Sequence, residues 1–300
     1  MMSEQSNIFQ GLWPALFTPV NPDGTFNPKE LEKLIELLIK QQVDGLYLLG
    51  STGQGFLFSE KERKEITRTT LEIANKRIPV MVQVGALNTE ESIRLAKDAA
   101  SHGADGISSV GPIYYGASAD MAFEHYRRIA QATDVPFFPY QIGSAANHQV
   151  IDRLLDLPQV HGMKLTTDKM LEISTIKNRA GDKWKLFSGA DELMCQAALC
   201  GTVGAIGTSY NLFGPTCKYI RETFLAGETQ HAMDYMLTFQ KFIETIIPVI
   251  WSFFNRAMYL RYDITIGEPK PPLLAKVLPW SDEEIMGMTE EIESFYTPVS

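Results

Sequence analysis

Apolar positions along the chain alternate between short contiguous runs and spaced stripes, and the alternation predicts the fold. Leu12–Phe17 is a contiguous apolar run that reads as a buried strand. Asn27-Pro28-Lys29-Glu30 then opens a helix, because an Asn cap, a Pro at the first helical position and a Glu at the third satisfy orphan N–H groups. Leu31, Leu34, Ile35 and Leu38 follow on one helical face. A second strand is expected at Leu46–Leu49, after the Asp44-Gly45 turn, and Ser59-Glu60-Lys61-Glu62 is a capping box opening a helix to about Asn75. Further strands are predicted at Pro79–Val84, Gly106–Val110, Pro136–Tyr140, Val160–Lys164, Lys185–Ser188 and Val203–Ile206. Helical patterns fill the gaps near 89–102, 119–132, 148–156, 168–179 and 190–200.

Eight strands alternating with helices predict a parallel sheet, and closing it removes both edges. The expected fold is α/β, a (β/α)8 TIM barrel with appended C-terminal helices. An open doubly wound sheet would need a GxGxxG turn after its first strand; Gly50-Ser51-Thr52-Gly53-Gln54-Gly55 follows the second and reads GxxGxG. Asp44-Gly45-Leu46, Asp105-Gly106-Ile107, His161-Gly162-Met163 and Val203-Gly204-Ala205 place glycine near a strand start, where it is read as a conformational permit. The division expected is a polar N-terminal tail over 1–10, a barrel over 11–228 and a helical extension over 229–300, in which Gly267-Glu268-Pro269-Lys270-Pro271-Pro272 forms a stiff loop. Trp251, Phe253 and Phe254 are expected on a helical surface that needs a cover.

Length and composition agree with that division: 300 residues suit one barrel of roughly 250 residues with an extension. With 45% hydrophobic and 21% charged residues, disordered and low-complexity classes are excluded. Twenty-seven Lys and Arg stand against 36 Asp and Glu, a net charge of −9 with no basic block, so no nucleic-acid partner is expected. The longest apolar stretch, near Ile246–Phe254, contains Pro248 and falls short of the ~20 residues of a membrane helix, so no membrane partner is expected either. Met1–Gln10 lacks the pattern of a secretory signal, and Cys195, Cys200 and Cys217 form no CxxC pair; a cytoplasmic, reducing location is the expectation.

Loops after the C-terminal ends of barrel strands build the active site in such folds, so the polar residues there are the candidates. They are Ser51 and Thr52 after the second strand, Tyr114 and Tyr115 after the fourth, and Tyr140 ending the fifth. Lys164 ends the sixth, followed by Thr166 and Thr167; Asp191 and Glu192 follow the seventh, and Thr208 and Ser209 the eighth. Lys164, in a mostly apolar strand, is expected at the barrel mouth, where desolvation favours the free amine that a Schiff-base nucleophile requires. The plainer reading is a lysine snorkelling to solvent. Tyr140, on the neighbouring strand, reads either as a core aromatic or as a proton shuttle. Ser51 and Thr52 read as an anion nest or as an ordinary glycine turn. Asp191 and Glu192, acceptors only, suit a hydroxyl-rich substrate or, equally, the N-terminus of the helix they open. His102, His125, His148, His161 and His231 show no metal-binding spacing, and no metal or organic cofactor is expected.

Together, Gly45-Leu46-Tyr47-Leu48-Leu49-Gly50-Ser51-Thr52-Gly53, Pro112-Ile113-Tyr114-Tyr115, Gly162-Met163-Lys164 and Gly207-Thr208-Ser209-Tyr210-Asn211 resemble the pyruvate-dependent class I aldolases, the family that includes N-acetylneuraminate lyase and dihydrodipicolinate synthase. The resemblance runs from Gly11 to the Pro271-Pro272-Leu273 loop. It implies that Lys164 forms an imine with a 2-oxo acid such as pyruvate, that Tyr140 relays protons and that Ser51 and Thr52 hold the substrate carboxylate. Tyr114 corresponds to a tyrosine of a hydroxyl relay in some members. The synthase branch typically carries an arginine where this chain has Ala145, so the resemblance is closer to the lyase branch. There Gly189, Asp191, Glu192, Gly207 and Thr208, with Thr166 nearby, hold a sugar chain. Departures from the family pattern are Gln54 for glutamate, Gly143 for proline and Ala145 for a larger apolar residue. The implied function is a Schiff-base lyase cleaving N-acetylneuraminate or a related 2-oxo-3-deoxy sugar acid to pyruvate and an aldehyde sugar. The alternatives are condensation of pyruvate with aspartate semialdehyde, a sugar-acid dehydratase, and a non-catalytic 2-oxo acid binding protein. Family members commonly assemble as homotetramers, and a homo-oligomer is expected.

Overall fold

The computed structural model describes residues 8–143 and 146–297, so most of the expected polar tail, and Ala145 among the family departures, lie outside the described residues. The strands are β1 (Gly11–Pro14), β2 (Leu46–Leu48), β3 (Val80–Gln83), β4 (Gly106–Val110), β5 (Phe137–Ile142), β6 (Gly162–Thr166), β7 (Lys185–Ser188) and β8 (Gly204–Gly207). All pair in parallel in the order β1-β8-β7-β6-β5-β4-β3-β2. A parallel bridge between Ala15 and Tyr47 joins β1 to β2 and brings the ring to closure. This is the expected (β/α)8 barrel.

Helices α1 (Pro28–Lys40), α2 (Glu60–Ala74), α3 (Thr89–Ser101), α4 (Ala119–Ala130), α5 (His148–Leu154), α6 (Met170–Ala180) and α7 (Met194–Leu199) connect successive strands. The caps read from sequence are made: Asn27 accepts from the Glu30 N–H, and Ser59 and Glu62 close a reciprocal box. Helix α8 (Tyr210–Leu225) completes the eighth unit. Helices α9 (Thr229–Ile246), α10 (Ile250–Tyr262) and α11 (Asp282–Glu293) form the extension.

The glycines at the strand starts serve space rather than backbone freedom, which corrects the sequence reading. Gly45 and Gly162 do not have positive φ. A Cβ at Gly45 would lie 2.3 Å from the Trp13 indole, and one at Gly162 would lie 1.9 Å from the Lys185 carbonyl oxygen. The aspartates beside them are staples. Asp44 Oδ2 accepts the Leu12 N–H at 2.7 Å and Asp105 Oδ2 accepts the Val80 N–H at 2.9 Å, each tying its own strand to the preceding one. Inside the ring, Phe9, Trp13, Phe138 and Phe187 form an aromatic floor, with Phe9 and Phe138 centroids 4.8 Å apart. The floor is fully buried, and the loops at the C-terminal end of the barrel carry the candidate residues.

Two further expectations are corrected. Phe253 and Phe254 are fully buried by the chain itself, Phe254 against Phe17 and Phe253 against Trp280, so they ask for no external cover. By length and mean hydropathy the helical run Thr229–Tyr262 is sufficient to cross a bilayer, longer than the stretch read from sequence, because Pro248 sits at the start of a single 3-10 turn that bends the run without ending it. Its inner face, with Tyr235, Phe239, Phe242 and Phe253, is buried in the protein.

Gly162→Ala is expected to destabilise the protein by about 3 kcal/mol, since the clash is with backbone and no side chain can move aside. Urea unfolding measures this; a midpoint equal to that of the unmodified protein would show that β6 and β7 can separate freely.

Candidate active site

Strand pairing sets the central geometry. Tyr140 on β5 and Lys164 on β6 are register partners, so both side chains leave the sheet on the same face at the same height. Lys164 is 5% exposed and makes no ion pair among the described residues. Its Nζ lies 4.0 Å from the centroid of the Tyr140 ring and 4.7 Å from that of Tyr47. This is a nitrogen enclosed by ring faces rather than one reaching solvent.

Tyr140 is 3% exposed, and its hydroxyl lies 3.2 Å from Thr166 Oγ1. Burial pushes the phenol up, but the charge of Lys164 and hydrogen bonds with Thr166, Lys164 and Ser51 outweigh it and bring the group below its ordinary value. Tyr47, its neighbour at 6.2 Å with the rings nearly perpendicular, goes the other way. Burial, followed by the nearby Tyr140, holds Tyr47 well above the ordinary range, and its hydroxyl donates to Ser108 Oγ at 3.1 Å.

The glycine turn after β2 is held from several sides. Thr52 is buried and shares a 2.7 Å hydrogen bond with Thr208 after β8. Ser51 is exposed at the mouth, and the Ser51 and Thr52 N–H groups donate to no protein acceptor among the described residues. Gln54 has φ 53°, a left-handed conformation, and its Oε1 accepts the Lys270 N–H at 2.7 Å. The family departure at Gln54 is therefore a tie between this turn and the C-terminal loop.

Across the mouth, Asp191 is buried and its Oδ2 accepts the Ser209 N–H at 2.7 Å. The carboxylate serves the start of α8, not of the helical turn that Asp191 itself opens. Desolvation raises its pKa to about 6, with Ser209 and Lys164 pulling down and Glu192 pushing up. Gly207 is required here for room: a Cβ would lie 1.8 Å from Asp191 Oδ1. Gly189 makes the same allowance for Thr166, whose Oγ1 would be 2.0 Å from a Cβ. The Gly207 carbonyl already accepts the Ala15 N–H at 2.8 Å. Gln240 on α9 donates to the Glu192 carbonyl at 2.9 Å and props that corner. Glu192, Thr166, Thr167, Asp168 and Lys169 line a polar cavity of about 250 Å3. A larger cavity of about 890 Å3 is lined by Ser51 and Tyr140 and by apolar residues including Val110, Ile113 and Ile142.

The sequence candidates thus divide. Ser51, Thr52, Tyr140, Lys164, Thr166, Gly189, Asp191, Glu192, Gly207 and Thr208 lie together at the C-terminal end of the barrel. Tyr114 does not join them within one chain: it is 81% exposed, and its ring contact is with Tyr115 at 5.1 Å. Tyr47, Gln54 and Gln240 complete the site and were not among the candidates. Tyr47 had a usable signal, since side chains alternate along a strand and Tyr47 belongs with the inward-facing set. Among the described residues, no His, Cys, Asp and Glu cluster could hold a metal ion.

Comparisons with known proteins agree with this fold. The N-acetylneuraminate lyase of Pasteurella multocida is 34% identical over 243 residues, 79% of this chain and 83% of that protein. The enzyme of the same name from Enterobacter sp. is 31% identical over 245 residues, 80% of this chain and 82% of the relative. The crystal structure of N-acetylneuraminate lyase from Mycoplasma synoviae superposes with a TM-score of 0.85 at 27% identity, covering 97% of this chain and 99% of the other. Residues 8–275 match the Dihydrodipicolinate synthetase family, and the chain belongs to it.

Proposed function

We propose that this protein is a class I, pyruvate-forming lyase that cleaves N-acetylneuraminate or a related 2-oxo-3-deoxy sugar acid. The observation that carries the reading is the buried Lys164 nitrogen held against Tyr140 at the open end of the barrel. The substrate carboxylate is received by the N–H groups and hydroxyls of Ser51 and Thr52. Lys164 adds to the 2-oxo carbon, and loss of water leaves a protonated imine. The Tyr140 oxygen, with the substrate carboxylate beside it, takes the proton of the C4 hydroxyl. The C3–C4 bond breaks, its electrons pass into the imine, and an aldehyde sugar departs. The enamine is then protonated at carbon, and water releases pyruvate and the free amine.

The cavity beside Thr166 and Glu192, lined also by Thr167, Asp168 and Lys169, supports a hydroxyl-rich substrate tail. Similarity to proteins named N-acetylneuraminate lyase supports that substrate over aspartate semialdehyde. Tyr114 has no role in the single-chain reading. A barrel over 11–228 with an extension over 229–300, a reducing cytoplasmic location and a homotetramer belong to the same proposal. The free cysteines support the location, and exposed Ile113, Tyr114, Tyr115 and Met121 support assembly.

Borohydride reduction in the presence of pyruvate should leave a covalent adduct on Lys164, located by peptide mass analysis, and Lys164→Ala should take up none. Pyruvate release from N-acetylneuraminate, set beside pyruvate consumption with aspartate semialdehyde, chooses the reaction; turnover only in the second assay would overturn the lyase reading.

Asp191 gives a second prediction. Its folded pKa of about 6 lies above the unfolded value, so its ionisation opposes folding: stability falls as pH rises from about 4 through 6. Above that window the buried carboxylate costs about 3 kcal/mol. Asp191→Asn should therefore raise the urea midpoint at pH 8 more than at pH 4 while raising KM for the sugar acid. An equal shift at both pH values, or an unchanged KM, contradicts this.

A further inference from the structure

The Lys164 nitrogen has two aromatic faces against it, and the proposed mechanism uses only one. Tyr47 projects from β2 into the ring with its centroid 4.7 Å from Nζ, and its own ring stands at 86° to that of Tyr140. The hydroxyl is anchored to Ser108 Oγ on β4, which fixes the ring plane. Tyr47, Ser108 and Lys164 are all buried, so water screens none of these contacts.

We propose that Tyr47 is a positioning residue that stabilises the positive charge of the Lys164 imine through the face of its ring. The inference rests on the reading of Lys164 as the imine-forming residue and goes beyond it. A nitrogen that alternates between free amine and protonated imine needs an attraction for the cation that is too weak to hold the amine protonated. A carboxylate at that distance would pair with the ammonium and hold it strongly. An aromatic face attracts the cation through its quadrupole, and more weakly. The two tyrosines thus have separate work. Tyr140 is drawn toward its phenolate and carries protons, whereas burial keeps Tyr47 a neutral phenol whose hydroxyl is occupied by Ser108. The floor of Trp13, Phe138 and Phe187 beneath them excludes the water that would weaken the attraction.

The test compares unmodified protein, Tyr47→Phe and Tyr47→Leu in two measurements: the rate of borohydride-trappable adduct formation with pyruvate, and steady-state cleavage of the sugar acid. Tyr47→Leu should lower kcat by about thirty-fold, the equivalent of a desolvated cation–π contact, with KM changed far less. Tyr47→Phe, which keeps the ring, should recover most of that loss. Should Tyr47→Leu fail to fold, as circular dichroism would reveal, progressively fluorinated phenylalanines at position 47 decide the matter, because fluorine drains the ring face while preserving shape. A stepwise fall in trapping rate with fluorine number supports the inference. A flat series, or Tyr47→Phe as impaired as Tyr47→Leu, overturns it. Absence of any adduct on Lys164 in the unmodified protein removes the imine reading itself, and this inference with it.

Discussion

The lysine nitrogen buried inside the closed ring of strands has a pair of tyrosine faces against it, and aromatic faces attract a cation. Much of the fold can be understood as keeping that arrangement dry and aligned. The aromatic floor closes the ring below, and the β5–β6 register sets Tyr140 and Lys164 at one height. Gly162, two residues before Lys164, lets β6 approach the Lys185 carbonyl of β7. A small residue at the start of the strand thereby governs where the reactive end of the strand lies.

The electrostatics of the mouth are arranged around the same nitrogen. Burial alone would keep both Tyr140 and Asp191 uncharged. At Tyr140 the lysine charge and the surrounding donors overcome that tendency. At Asp191 they do not, and the acid titrates near neutrality despite the Ser209 N–H. The difference is one of distance and donors: Tyr140 touches the lysine directly, whereas Asp191 answers to a backbone N–H at the start of α8 and to the adjacent Glu192. Lys164 lowers both groups, but it helps to overcome burial only at the phenol; at the acid, desolvation prevails.

How much of this is legible in the sequence depends on whether a contact is local. The first half of the barrel is readable because its units carry local punctuation: Asn27, Ser59 and Asn88 cap helices where the apolar stripes begin, and Asp44-Gly45 and Asp105-Gly106 mark strand starts. Lys164 is readable because a charged residue stands out in an apolar strand, and Tyr140 because its strand is the neighbour. Tyr47 is harder to read, since a tyrosine between leucines looks like core and only strand alternation sets it on the inward-facing side. The direction taken by the loop after β4 is also invisible in sequence, and it turns Tyr114 outward although its motif suggests the site. Phe253 and Phe254 look like an uncovered surface until Phe17, far away in the chain, is folded against them.

The C-terminal extension shows the same dependence on distant contacts and explains why a complete ring of strands is insufficient for this site. Two of the loops that receive substrate in the proposed reaction are tied to residues beyond the eighth unit. Gln54 in the glycine turn after β2 accepts from the Lys270 N–H, and the Glu192 carbonyl accepts from Gln240 on α9. Lys270 is fixed in turn by its Nζ, which donates to the Gly24 carbonyl and lies over the Phe58 ring. Gln54 occupies a left-handed conformation between Gly53 and Gly55, neither of which has room for a Cβ. A turn so constrained by its own backbone still needs an outside contact to choose its position over the barrel mouth, because left-handed residues and glycines permit a shape without fixing where it sits. The extension supplies that contact, and the amide at 54 can both accept from Lys270 and remain uncharged beside an anion. A glutamate there, as in the family pattern, would accept the same N–H and add a negative charge to the turn proposed to receive the substrate carboxylate.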